Sequence, residues 1–157
     1  MIRTDAFAAG QENAFLTLYR ACLAHYALAP ATGAQEDRIL DLLRRERHMA
    51  CVMAYDDQTP VGFATWGLTF PAGNDTALYI KELFVDTAAR GAGVGRALLS
   101  RLVDIAEAEG CARIDWQTDG DNAISQAFYA RIGAPAFDKK TFRVRRAEFT
   151  AFKAQIR

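Results

Sequence analysis

Apolar and polar positions change period along this chain in an order that lays out a fold. A short strand is expected at Ile2 to Thr4. Over 12–28 the residues Phe15, Leu18, Tyr19, Cys22, Leu23 and Tyr26 recur at steps of three and four, one stripe of an amphipathic helix, which Pro30, Thr32 and Gly33 then break. A second helix fits 35–46, with Ile39, Leu42 and Leu43 inward and Glu36, Asp37, Asp41, Arg44 and Arg45 outward. Three strands follow at 49–55, 61–70 and 77–85, separated by the turn chemistry of 56–60 (Asp-Asp-Gln-Thr-Pro) and 71–75 (Pro-Ala-Gly-Asn-Asp).

Helical spacing returns at 93–109, where Val94, Leu98, Leu102, Ile105 and Ala106 form a stripe that Gly110 ends. The strand expected at 111–118 is reached through a helix crossover and should therefore run parallel to the one before it. A helix over 123–131 is ended by Gly133 and Pro135, and 142–149 sets Phe142, Val144 and Ala147 against Arg143, Arg145 and Arg146, read as a final strand with one wet face. This order gives an α/β (α+β) fold in one domain, 1–157.

Composition narrows the function classes. At 51% hydrophobic and 24% charged residues the chain is an ordinary globular sequence, and its formal net charge of zero speaks against a protein that coats nucleic acid or anionic membrane. Lys139, Lys140, Arg143, Arg145 and Arg146 form a basic end, read as a solvated strand because no aromatic stacking platform or recognition helix accompanies it. Cys22, Cys51 and Cys111 lie far apart, so neither a disulfide framework nor a zinc site is indicated, and His25 and His48 lack ligand-spaced partners. No metal is expected. No basic start with an apolar core and no run of about 18 apolar residues occurs, so the expected location is cytoplasmic, with no membrane partner.

The chemistry-bearing stretch is the strand at 77–85 with the loop Arg90-Gly91-Ala92-Gly93-Val94-Gly95-Arg96 that opens the next helix. A glycine-rich turn at a helix N-terminus can cradle phosphate, because free backbone N–H groups and the positive end of the helix dipole converge there. It is not a P-loop, since Gly95 is followed by Arg96-Ala97 and not by Lys and a hydroxyl residue. It is not a dinucleotide fingerprint either, since Arg96 stands where the third glycine belongs and the strands upstream are antiparallel. What remains is Arg90-x-x-Gly93-x-Gly95, in which a diphosphate could touch consecutive amides with Arg90 and Arg96 adding charge. The same glycines also suit a plain strand-to-helix turn.

Two blocks resemble the GCN5-related N-acetyltransferase (GNAT) superfamily. One is the strand ending Leu83-Phe84-Val85 with the 90–96 loop. The other is Asp115-Trp116-Gln117-Thr118, then Asn122, Ala127-Phe128-Tyr129 and Gly133. The second block resembles the branch of diamine, polyamine and yeast histone acetyltransferases. The resemblance implies a mixed, mostly antiparallel sheet with helices on both faces and a V-shaped splay between 77–85 and 111–118. It further implies acetyl-CoA as co-substrate, held by Leu83, Phe84, Val85, Arg90, Gly91, Ala92, Gly93, Val94, Gly95, Arg96, Asn122 and Tyr129. The acceptor would be a primary amine: a small diamine or polyamine, a lysine-like amino acid or a protein lysine.

In that reading Tyr129 protonates the departing thiolate, a backbone N–H such as that of Leu83 stabilises the oxyanion, and Glu82 deprotonates the amine directly or through water. Without the motif, Tyr129 would read as a helix residue packing beside Phe128. The polyamine-type relatives often carry an acidic pair before this segment, whereas here the pair is Lys81-Glu82, whose side chains should face opposite sides of a regular strand. A homodimer is expected, using the final strands or the face bearing Phe142 and Phe149. The alternative to an enzyme is a non-catalytic acyl-CoA-binding sensor with the same fold.

Overall fold

Five strands, β1 (Ile2–Ala6), β2 (Ala50–Asp56), β3 (Thr59–Thr69), β4 (Ala77–Val85) and β5 (Arg113–Trp116), lie in one sheet in chain order. The first four run antiparallel, and β5 pairs parallel with β4. The computed structural model describes residues 1–44, 49–70, 73 and 75–156. It divides into two compact units, Met1–Gln117 and Thr118–Arg157. His48, Arg45, Glu46 and most of the turn expected at 71–75 lie outside the described residues.

Helices cover both faces of the sheet in the first unit. On one face α1 (Glu12–His25) and α2 (Gly33–Arg44) bury Phe15, Leu18, Cys22, Leu40 and Leu43 against Cys51, Met53, Tyr55, Phe63 and Phe84. On the other, α3 (Val94–Ala108) buries Val94, Leu98, Leu102 and Ala106 against Val52, Ala54, Ala64, Leu78 and Ile80. The helical stripes read from the sequence are the buried faces, because that burial is the main favourable term available to a chain of this size. Gly62 sits where β3, β4 and α3 meet, and a Cβ there would stand 2.8 Å from the Phe84 carbonyl oxygen and 3.1 Å from Val94 Cγ1. Gly62→Ala is expected to cost about 1–3 kcal/mol by overpacking, read as a lowered urea midpoint.

Helix ends differ from expectation for local reasons. α1 stops at His25, short of Leu28, because Ala27 takes a left-handed conformation, φ 51°. Leu28 N–H then bonds the Leu23 carbonyl at 2.9 Å and Ala27 N–H that of Ala24 at 3.1 Å, a Schellman turn. α2 starts early because Thr32 and Gln35 form a reciprocal cap, Thr32 N–H to Gln35 Oε1 at 2.8 Å and Gln35 N–H to Thr32 Oγ1 at 3.3 Å.

In the second unit, α4 spans Ala123–Arg131 as expected. The strand expected over 142–149 does not form: a 3-10 turn, Arg146–Glu148, leads into α5, Phe149–Gln155. The alternation had already failed at Arg146, which stands where an apolar residue was due. Glu148 instead accepts from the Arg145 N–H at 2.7 Å, which closes a helix start.

Candidate functional site

The site is built on an irregularity in β4. Its pairing with β3 runs Val85 to Gly62, Phe84 to Phe63, Leu83 to Ala64 and Glu82 to Thr65, then jumps to Ile80 opposite Trp66. Lys81 is the extra residue, a β-bulge. Side chains change face there: Leu78 and Ile80 pack toward α3, whereas Phe84 packs toward α1 and α2, with Leu83 and Val85 against the α3 core. Bulges bend a strand and interrupt pairing. Pairing of β4 with β5 runs from Ala77 and Arg113 to Ile80 and Trp116 and ends there, one residue before the bulge. This is the splay.

Beyond Ile80, no strand pairs with β4 on that side among the described residues. Asp86 N–H donates to the Val61 carbonyl at 2.9 Å, which fixes the phase of the β3–β4 ladder. Opposed residues alternate between exchanging and not exchanging hydrogen bonds in an antiparallel pair, so Phe84 and Glu82 direct their backbone groups to β3. Leu83 and Val85 therefore direct theirs to the open edge, where an extended amide chain could pair with them as a strand would.

Past Val85, Asp86 accepts from Ala88 N–H at 2.9 Å and caps a 3-10 turn, Thr87–Ala89. Gly91 and Gly93 then adopt φ of 85° and 87°, conformations that strain any residue with a Cβ, and nothing lies within 4 Å of where a Cβ would be. The first bond closing α3 runs from Ala97 N–H to the Gly93 carbonyl at 3.0 Å. The N–H groups of Val94, Gly95 and Arg96 have no backbone acceptor among the described residues, as at any helix start. Open space, unstrained glycines and free donors coincide in this loop, the features an anion cradle needs. Val94 contributes only its backbone, since its side chain is core, and the Phe84 ring is likewise core.

On the α1 face of β4, the Tyr26 hydroxyl donates to Glu82 Oε1 at 3.4 Å. The Glu82 charge is also felt by Tyr19 and Cys22. Burial first, then the neighbouring Cys22, Glu36 and Glu82, raises the Tyr19 phenol above its ordinary value. Burial, aided by Glu82, pushes the Cys22 thiol up to about 12, and burial alone does the same for Cys51, so neither is a thiolate nucleophile. Arg20 grips Glu36 through two bonds, Nε to Oε1 at 2.8 Å and Nη2 to Oε2 at 2.7 Å, tying α1 to α2 and holding the Glu36 carboxyl below its usual range. Arg90, expected at the anion, donates from Nε to the Val85 carbonyl at 3.3 Å, and its Nη2 lies 3.3 Å from His25 Nε2. Arg96 is exposed at the start of α3.

In the second unit, Asn122 is the N-cap of α4, its Oδ1 accepting from Ser125 N–H at 3.1 Å. Its amide NH2 remains the side-chain donor. Tyr129 is half-buried on α4, with its ring centroid 5.3 Å from that of Phe128. Among the described residues no three His, Cys, Asp or Glu side chains gather as metal ligands, and no helix is long and apolar enough to cross a membrane. Sequence reading missed two site neighbours, His25 and Tyr26. The signal for both was the α1 terminus, hidden because Ala27 is a good helix former and gave no stop.

The model of the acetyltransferase (GNAT) family matches residues 13–134. The chain is 30% identical over 137 residues to a mycothiol acetyltransferase of Beutenbergia cavernae, covering 84% of this chain and 44% of that protein, so it spans less than half of that relative. It is 27% identical over 133 residues to a glucosamine 6-phosphate N-acetyltransferase of Trypanosoma brucei brucei, covering 82% of this chain and 88% of that protein. Among solved structures, an integron cassette protein from the mobile metagenome of V. cholerae superposes with a TM-score of 0.82 at 24% identity, covering 97% of each chain. An aminoglycoside N-acetyltransferase solved in complex with CoA gives a TM-score of 0.77 at 18% identity, covering 93% of this chain and 95% of that one.

Proposed function

Because this chain belongs to the acetyltransferase (GNAT) family, we propose that it is an acyltransferase that moves an acetyl group from acetyl-CoA to a primary amine on a small molecule. The observation that carries this reading is the continuity of one strand, loop and helix: the open edge at Leu83 and Val85 leads directly into the free amides of Val94, Gly95 and Arg96. The edge suits the amides of the pantetheine arm, and the loop suits the diphosphate, with Arg90 and Arg96 supplying positive charge. Asn122 offers its amide NH2 to the same arm. We expect both motif blocks to belong to one catalytic domain, 1–157, that works as a homodimer in the cytoplasm.

Bound acetyl-CoA supplies an activated acyl group, and this chain's residues do the rest. The Leu83 N–H is a fixed donor for the carbonyl oxygen as charge develops there. An alkylamine with a pKa near 10.4 is protonated at neutral pH, so a base must free its lone pair, and Glu82 is that base, directly or through water. Tyr129 gives a proton to the departing thiolate.

The name of the glucosamine 6-phosphate relative adds amino sugars to the acceptor panel beside diamines, polyamines, lysine-like amino acids and lysyl peptides. Release of free thiol should be followed with acetyl-CoA and each amine. Turnover with at least one amine is expected. Binding of CoA without turnover on any of them would make the chain an acyl-CoA-binding module instead. Tyr129→Phe is expected to lower kcat about a hundredfold and leave CoA affinity unchanged; parallel losses of both, or of neither, would contradict its assigned role.

A further inference from the structure

The last turn of α1 places adjacent residues on two parts of the site: Tyr26 reaches Glu82, and His25 reaches Arg90. A guanidinium has donors only, so in a hydrogen bond across this 3.3 Å contact His25 Nε2 is the acceptor. Through Nε the same guanidinium donates to the Val85 carbonyl at 3.3 Å. That carbonyl belongs to the open edge of β4. His25 stands on the α1 side of the sheet, its ring centroid 6.4 Å from that of Phe84, whereas α3 packs on the opposite face. Arg90 is thus tied to the α1 side of the sheet and occupies an acceptor on the edge offered to the pantetheine arm.

Resting on the acetyl-CoA reading above, we propose that His25 is a positioning residue that sets cofactor affinity through Arg90. It holds the guanidinium withdrawn across the Val85 carbonyl, and acetyl-CoA must break both contacts before Arg90 can face the diphosphate. The Schellman turn at Ala27 ends α1 at this point and so fixes where the imidazole stands.

His25 is exposed, so its replacement leaves the core intact. Calorimetric titration with CoA is expected to show His25→Ala binding about three- to tenfold tighter than wild type, the range for losing one ordinary competing hydrogen bond. The KM for acetyl-CoA should fall with it while kcat at saturation stays put. His25→Gln, which keeps an acceptor, should remain within about twofold of wild type. In an Arg90→Ala background, His25→Ala should have no effect on CoA affinity, since the pair acts as a unit. Unchanged or weakened binding in His25→Ala, or tightening that persists without Arg90, overturns the proposal. Wild type that fails to bind CoA removes the proposed function along with it, whereas CoA binding indifferent to His25 removes this inference alone.

Discussion

Glu82→Gln lowers kcat by about a hundredfold or more, the usual contribution of a positioned general base, with little change in the KM for acetyl-CoA. The two effects separate because of how β4 is built. The Glu82 backbone is turned to β3, so it takes no part in the open edge, and its side chain lies on the α1 face beside Tyr26. Glutamine keeps the shape and accepts from Tyr26 but cannot take a proton from an ammonium group. Steady-state kinetics with a turned-over amine, alongside CoA titration, provide the check. A variant retaining kcat within about twofold would place the base elsewhere.

Deleting Lys81 is the second large effect. Lys81 has no opposite residue in β3, so its removal turns β4 into a regular strand. Leu78 and Ile80 keep the α3 face and Phe84 keeps the α1 face, because one extra residue is what allowed the two sets to be out of phase. The cores survive, and the bend that separates β4 from β5 is lost. CoA affinity is expected to fall by at least about tenfold, with hydrogen exchange at the Leu83 amide slowed as the edge closes. Wild-type CoA affinity in the deletion would show that the splay does not depend on the bulge.

Lys81 also shows where reading the sequence as a regular strand went astray. A strict alternation sends Lys81 and Glu82 to opposite faces and leaves open which one occupies the acidic position of polyamine-type relatives. The bulge breaks that alternation: Lys81 has no partner in β3, and Glu82 takes the face of Phe84. Val94 and Phe84 stand in the block that resembles the cofactor motif, and the fold uses both side chains as core. The final strand expected at 142–149 rested on a period of two that Arg146 breaks, and the local cap at Glu148 turned the segment helical.

The sequence by itself determined the order of elements, the buried stripes of α1, α2 and α3, the parallel return of β5 and the glycine loop that begins α3. These follow from periodicity, turn chemistry and backbone permissiveness, each set within a few neighbouring residues. The tertiary structure alone decided which backbone groups face the open edge, because that depends on the phase of pairing between β3 and β4. It alone brought His25 to Arg90, 65 residues apart, and Tyr26 to Glu82, 56 apart. Contacts at such separations are fixed by how helices pack on the sheet, and no local pattern carries them.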